Sequence, residues 1–236
     1  MYLEPFFGSG ACFFNKTPAY IETINDLDGN IVNLFKVFRE RPQELAQLIR
    51  LTPFAREEFQ NCYEQSDNPV EQARRTIVRY HQSFGTSNSS KKKSWRNVQT
   101  YGGPRCATMW NDLPDVVCEI AERLKDAQIE NTDAITLIER YNDENTLIYC
   151  DPPYLKKMRK KNMYVVEMDN EKHIMLLEIL KKSKSKIIIS GYDNELYDRE
   201  LKEWFTAEKQ TTAQMGLHRT EKLWMNFNLQ LTLLEE

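Results

Sequence analysis

The sequence predicts an α/β fold: a doubly wound, mostly parallel sheet interrupted by an inserted helical region. Three observations carry the prediction. Short apolar runs alternate with segments at helical spacing. The run Leu147-Ile148-Tyr149-Cys150 is as continuously hydrophobic as a strand buried on both faces. Polar and glycine motifs follow directly on the strands, at the carboxyl ends where open α/β sheets bind ligands.

Taken in order, Tyr2 to Phe7 reads as a strand, Gly8-Ser9-Gly10 as a tight turn, and Ala11-Cys12-Phe13-Phe14 as the start of a helix. Tyr20 to Ile24 is a second strand ending in Asn25-Asp26, and Ile31, Leu34, Phe35 and Phe38 follow at helical spacing. From Pro53 to Phe84 the pattern is helical and polar, with Phe54, Phe59, Ile77, Tyr80 and Phe84 as buried positions. Gly85 to Pro104 is rich in Ser, Asn, Gly and Lys, too polar to build a core, and reads as a surface loop or hairpin. Helical spacing restarts at Asp112 and runs through Val116, Ile120 and Leu124. After the 147–150 strand and the turn Asp151-Pro152-Pro153-Tyr154 come a helix over Asn170 to Lys182, a strand over Lys186 to Ser190, a helix around Glu195 to Phe205, and two strands within Thr206 to Leu234.

With 236 residues, 41% hydrophobic and 28% charged, the chain has the composition of a globular protein with one large domain, or one domain carrying an insertion. It contains no apolar run of about 18 residues, so a membrane-spanning protein is excluded at this level. No basic segment leads into an apolar one at the N-terminus, and an intracellular protein is expected. Cys12, Cys62, Cys106, Cys118 and Cys150 form an odd set without a CxxC pair and read as reduced thiols. His81, His173 and His218 are dispersed, so neither a metal site nor a catalytic histidine is assigned. The net charge of −3 hides an uneven distribution: 73–111 has no Asp or Glu but carries Arg74, Arg75, Arg79, Lys91, Lys92, Lys93, Arg96 and Arg105.

Two motifs suggest chemistry. Glycines at a strand-to-helix turn let a ligand approach the backbone, and an acid at the end of the next strand, here Asp26, can accept hydrogen bonds from a ribose. The turn lacks the third glycine of dinucleotide sites, which points to an adenosine ligand without a pyrophosphate. In Asp151-Pro152-Pro153-Tyr154 two prolines stiffen the backbone directly after a buried strand. Such a segment presents a carboxylate and a free carbonyl beside an aromatic face, a set suited to a planar base bearing an amino group.

These residues resemble the Dam-type, adenine-specific DNA methyltransferases, in particular phage and prophage members. Leu3-Glu4-Pro5-Phe6-Phe7-Gly8-Ser9-Gly10 is similar to the family's cofactor motif, Ile24-Asn25-Asp26-Leu27 to its ribose-binding acid, and Asp151-Pro152-Pro153-Tyr154 to its catalytic signature. Gln82-Ser83-Phe84-Gly85, Ser190-Gly191-Tyr192 and Glu221-Lys222-Leu223-Trp224-Met225-Asn226 are similar to weaker blocks, so the resemblance covers nearly the whole chain. It implies the S-adenosylmethionine-dependent methyltransferase fold and S-adenosylmethionine as methyl donor. Pro5, Phe6, Gly8, Ser9, Gly10, Asp26 and Asp151 would line the cofactor, and Asp151, Pro152, Pro153 and Tyr154 would act on a flipped-out adenine of double-stranded DNA.

The resemblance also implies an organisation: 1–52 as the first part of the catalytic domain, 53–111 as the target-recognition region, and 112–236 as the second part. Arg79, Lys91, Lys92, Lys93, Trp95 and Arg96 would then contact DNA, with Lys156, Lys157, Arg159, Lys160 and Lys161 as a second basic run. A bacterial or phage-infected cytoplasm and a cognate restriction nuclease fit such an enzyme. Family members usually carry a Lys- and Gly-containing block before the cofactor motif, whereas here Met1 stands directly before it. That departure predicts a cofactor pocket short of one wall, to be completed by DNA or a partner subunit. Two alternatives stay open: methylation of an amino group on RNA or on protein glutamine, and a DNA-binding relative impaired in catalysis.

Overall fold

The computed structural model describes residues 1–84, 94–97, 106–155, 167–213 and 217–228. Its strands are β1 (Tyr2–Glu4), β2 (Glu22–Asn25), β3 (Ala127–Glu130), β4 (Leu147–Cys150), β5 (Lys186–Tyr192), β6 (Phe205–Ala213) and β7 (Leu217–Met225). Its helices are α1 (Ala11–Asn15), α2 (Gly29–Glu40), α3 (Pro42–Leu51), α4 (Arg56–Asn61), α5 (Pro69–Gln82), α6 (Cys106–Leu124), α7 (Ala134–Arg140), α8 (Asn170–Lys182) and α9 (Glu195–Glu200). The strand order is β3-β2-β1-β4-β5-β7-β6. From β1 the chain winds first to β2 and β3 and then, on the other side, to β4 and β5, which is the doubly wound topology the sequence predicts. No helix among the described residues is long and apolar enough to cross a membrane.

The chain divides into two compact units. One holds Met1–Phe6, residues 133–155 and the described residues from Met168 onward. Here β1, β4 and β5 are parallel, while β7 pairs antiparallel with both β5 and β6. Alternation in Lys186–Tyr192 turns Ile187 and Ile189 into a core with Leu3, Ile148, Cys150 and Trp224. Leu176, Leu177 and Leu180 of α8 join that core at the i, i+1 and i+4 positions of one face. Asp169 starts α8 by accepting from Lys172 N at 2.9 Å. The block around Lys222 proves to be architectural. Lys222 Nζ reaches Asp193, Asp198 and Glu208 at 2.8 to 3.1 Å, Trp224 Nε1 donates to Asp198, and Asn226 bonds the backbone of Ser185 and Ile187.

The other unit holds the described residues of Phe7–Thr132. Here β2 and β3 are parallel, and α2 packs its Ile31, Leu34, Phe35 and Phe38 face inward. Asp28 caps α2 through Asn30 N, and Asn68 caps α5 through Val70 N and Glu71 N. Glu22 is buried at the edge of this unit but paired with both Lys16 and Arg123, and the Arg123 guanidinium lies 3.7 Å from the Phe13 ring. Burial works against the Glu22 charge, yet these partners hold its pKa below the ordinary value.

Several expectations are corrected. The first strand stops at Glu4 rather than Phe7, because Phe7 already donates its N–H to the Asn25 carbonyl. The helix expected from Asp112 begins at Cys106 and runs through Pro114; its Trp110 is buried, the indole donating to Thr52 O at 2.7 Å. Val117 is buried there instead of Val116, which is exposed. Phe84 is 64% exposed, since α5 ends at Gln82 and the chain turns outward.

Candidate active site

Asp151 leaves the carboxyl end of β4. The parallel neighbour β1 pairs with it in the Leu3↔Ile148 register, so Pro5 and Phe6 depart from the adjacent strand end. Neither Pro152 nor Pro153 has an N–H, which ends the ladder after Cys150. Across on β5, Ile189 pairs with Cys150, and the next residue, Ser190, sets its Oγ 3.0 Å from Asp151 Oδ1 and 3.1 Å from the Cys150 carbonyl. With one proton to give, the hydroxyl donates to one of these at a time.

Asp151 is exposed at the surface, while protein crowds its carboxylate from behind. That partial desolvation pushes its pKa up to about 6; the Ser190 hydrogen bond pulls it down and the Glu221 charge adds to the rise. The rings of Tyr154 and Tyr192 lie 4.4 Å apart at 54°, and with Pro152, Ser190, Asn194 and Tyr197 they line a recess at these strand ends. Tyr197 is fixed from below, its hydroxyl 2.8 Å from His173 Nδ1.

A second set belongs to the other unit. Gly8 N donates to Asp26 Oδ2 and Asp28 N to Asp26 Oδ1, both at 2.8 Å, so the acid closes the glycine turn onto the end of β2. Asp28 rather than Asp26 caps α2. Burial raises the Asp26 pKa, against these two backbone hydrogen bonds, and the Asp28 charge adds to the rise. Gly8 and Gly10 are both left-handed, at φ 52° and 68°. Their surroundings differ. A Cβ on Gly10 would lie 2.5 Å from Phe7 Cζ and 2.7 Å from Phe14 Cε2, so Gly10 serves phenyl packing; a Cβ on Gly8 would meet nothing within 4 Å. Open backbone at Gly8, beside a carboxylate whose oxygens each keep a lone pair, fits the ribose end of a nucleoside cofactor. Ser9 is exposed at the same turn.

Of the residues expected to touch DNA, Lys91, Lys92 and Lys93 lie outside the described residues, as do Lys156, Lys157, Arg159, Lys160 and Lys161. Trp95 and Arg96 belong to a short antiparallel pairing of 82–84 with 94–96, made by Phe84 N to Ser94 O and Arg96 N to Gln82 O. Trp95 packs 5.5 Å from the Phe54 ring, beneath the Arg56 guanidinium at 4.8 Å, and reaches Gln82 Oε1 at 3.3 Å. Arg79 is half-buried at the end of α5. Arg74 and Arg75, counted in the basic stretch, are committed to Glu58, Glu64 and Glu71. The strong Arg74 contact holds Glu71 at a pKa of about 2.

Sequence reasoning gave Ser190 and Tyr192 as parts of a strand-end block without a role and missed Asn194 and Tyr197 as lining residues. A Ser-Gly-Tyr directly at the end of a strand adjacent in order to the Asp-Pro-Pro-Tyr strand was the available signal.

Comparison with known proteins gives a consistent result. The sequence model of the family described as D12 class N6 adenine-specific DNA methyltransferase matches residues 1–215. A type II methyltransferase, M1.LlaDCHI of Lactococcus lactis subsp. cremoris, is 26% identical over 169 residues, covering 65% of this chain and 56% of the relative. The chain thus spans little more than half the length of that curated relative.

Proposed function

The chain belongs to the D12 class N6 adenine-specific DNA methyltransferase family, and from that premise we propose that it methylates the exocyclic amino nitrogen of adenine in double-stranded DNA. The observation that carries this reading is the Asp151 carboxylate, fixed by Ser190 at the end of β4 and left open beside the Tyr154–Tyr192 pair.

S-adenosylmethionine, when bound, supplies an electrophilic methyl on a sulfonium. Pro5, Phe6, the Gly8-Ser9-Gly10 turn and Asp26 are the residues that would hold it, the last through the ribose. Asp151 and the Pro152 carbonyl each accept one hydrogen of the adenine amino group. That pair of bonds draws the nitrogen lone pair out of conjugation with the ring and aims it along the line of attack. Pro153 keeps the turn rigid, and Tyr154 stacks on the extruded base. On accepting the methyl that the bound cofactor would supply, the amino nitrogen would have a proton to lose. Asp151, with a pKa of about 6, is suited to take it near neutrality.

Residues 53–111 act as the target-recognition region, with Arg79, Lys91, Lys92, Lys93, Trp95 and Arg96 toward DNA. The type II name of the relative supports a cognate restriction nuclease as a cellular partner, in the cytoplasm of a bacterial or phage-infected cell. The test is incubation with labelled S-adenosylmethionine and unmethylated genomic DNA, then nucleoside analysis and site mapping. N6-methyladenine at one short sequence is expected; label on RNA or protein alone, or no transfer, overturns the reading.

A further inference from the structure

We propose that Tyr80, on the helix leading into the basic region, is a further cofactor-contacting residue whose phenol hydroxyl bonds the ribose that Asp26 holds. The inference rests on the cofactor reading above. Helix α5 runs back along α2: Asn33 Nδ2 donates to Pro69 O at the start of α5, and one turn on Gln72 Nε2 donates to Asn30 Oδ1, each at 2.9 Å. Residues 72, 76 and 80 form one stripe of α5 at i, i+4 spacing. Eight residues beyond Gln72, about 12 Å along the axis, that stripe passes the start of α2 and carries Tyr80 toward the end of β2, within electrostatic reach of Asp28 and Asp26. Burial raises the Tyr80 pKa, and the charges of Asp28 and Asp26 both add to the rise.

Among the described residues, polar atoms in this corner lack partners. No described group meets the buried Tyr80 Oη in full hydrogen-bonding geometry; the Arg79 guanidinium, 5.6 Å from the ring centroid, draws its pKa down by its charge and by an imperfect hydrogen-bond contact. Asp28 is 7% exposed; its Oδ1 caps α2 while its Oδ2 is buried without a partner. Arg79 Nε and Nη2 are buried in the same condition. Buried polar groups are normally paired, so several orphans at one strand end mark a place built for a polar ligand.

The chemistry selects the ligand. Even with the Arg79 guanidinium beside Tyr80, two carboxylates leave the corner net negative and disfavour a phosphate. A neutral sugar diol suits them, because a ribose hydroxyl donates to a carboxylate and accepts from a phenol. Tyr80 would then tie the cofactor to α5, whose end pairs with 94–96.

The experiment is calorimetric titration of the full chain and of Tyr80→Phe with S-adenosylhomocysteine and with its 2′,3′-dideoxyribose analogue. The variant should bind S-adenosylhomocysteine roughly 3- to 10-fold more weakly and the analogue as well as wild type does. Its thermal midpoint should change little, because among the described residues the hydroxyl removed has no partner in full hydrogen-bonding geometry. Unchanged affinity for S-adenosylhomocysteine overturns the inference, and so does an equal loss on both ligands, which would place Tyr80's effect away from the ribose. If the wild-type chain binds neither ligand, the cofactor reading itself fails, an outcome distinct from both.

Discussion

Asp26 and Asp151 both hang from the carboxyl end of a parallel strand, and the protein holds them in opposite ways. Asp26 is clamped, each oxygen accepting a backbone N–H at 2.8 Å. Asp151 has, among the described residues, one hydroxyl partner, is exposed, and has its pKa lifted to about 6. An acid that only binds gains from having every degree of freedom removed. An acid that must accept an amino hydrogen and then a proton needs free lone pairs and a pKa near neutrality. The contrast fits the proposed roles, binding for Asp26 and chemistry for Asp151.

The largest effect that would break this comparison is at Asp151. Asp151→Ala should lower methyl transfer 10²-fold or more, the usual scale for removing a preorganised electrostatic partner, while leaving DNA affinity near wild type because phosphate contacts supply most of it. On the proposed mechanism the ionised carboxylate is the working form in the unaltered protein. Turnover should therefore plateau above pH 6 and fall about tenfold per unit below it, as measured by single-turnover rates across pH. A flat profile through pH 5 would remove Asp151 from the reaction. Next, Asp26→Ala should weaken S-adenosylmethionine binding roughly 10- to 100-fold and leave the maximal rate at saturation much less affected. A fall in maximal rate with unchanged cofactor affinity would reverse the assignments.

Much of the fold was legible in the sequence, and the parts that were not share a physical reason. Asn170 to Lys182 is a helix with both boundaries as expected, since Asp169 caps it and a leucine face runs its length. Helix α3, strand β3 and helix α7 escaped notice. β3 is four residues of mixed polarity, of which Ala127 alone is buried, too short for a period of two to register. For α3 and α7 the signals existed, Pro42 at the first turn and Asp133 as a cap, but each carries only three buried side chains. The basic stretch misled in another way. Its window began just past Glu71, and Glu71 lies three and four residues before Arg74 and Arg75, the spacing at which helix side chains pair. At the site, the strand-end rule located the two acids and Ser190-Gly191, but the direct contact of Ser190 with Asp151 depends on the β4–β5 register, which nothing local in sequence could give.

Ser190 offers a sharper test of the open acid. Its hydrogen bond favours the ionised carboxylate, so Ser190→Ala should raise the Asp151 pKa and move the acid limb of the rate profile above pH 6. At pH 6.5 the loss should be roughly 2- to 10-fold, the worth of one hydrogen bond, and it should shrink as pH rises. A loss that stays constant with pH would mean that Ser190 orients the carboxylate without tuning it.

The smallest effect comes from Glu221, which faces Tyr192 in the β5–β7 register and whose charge adds to the rise at Asp151. Glu221→Gln removes that charge, so the acid limb should shift downward, opposite in sign to Ser190→Ala. Glu221 is exposed, and its field crosses solvent with a Debye length of about 10 Å at 0.1 M salt. The rate gain at pH 6 should therefore stay below about twofold, appear most clearly at low ionic strength, and vanish near 1 M salt. The serine effect works through direct contact and should survive the same salt. Opposite shifts with different salt sensitivity would show that the Asp151 pKa is a balance between burial, one hydroxyl and one distant charge. A Glu221→Gln shift in the same direction as Ser190→Ala would mean that both substitutions act by loosening the strand ends, and the contrast between a clamped and an open acid would lose its electrostatic basis.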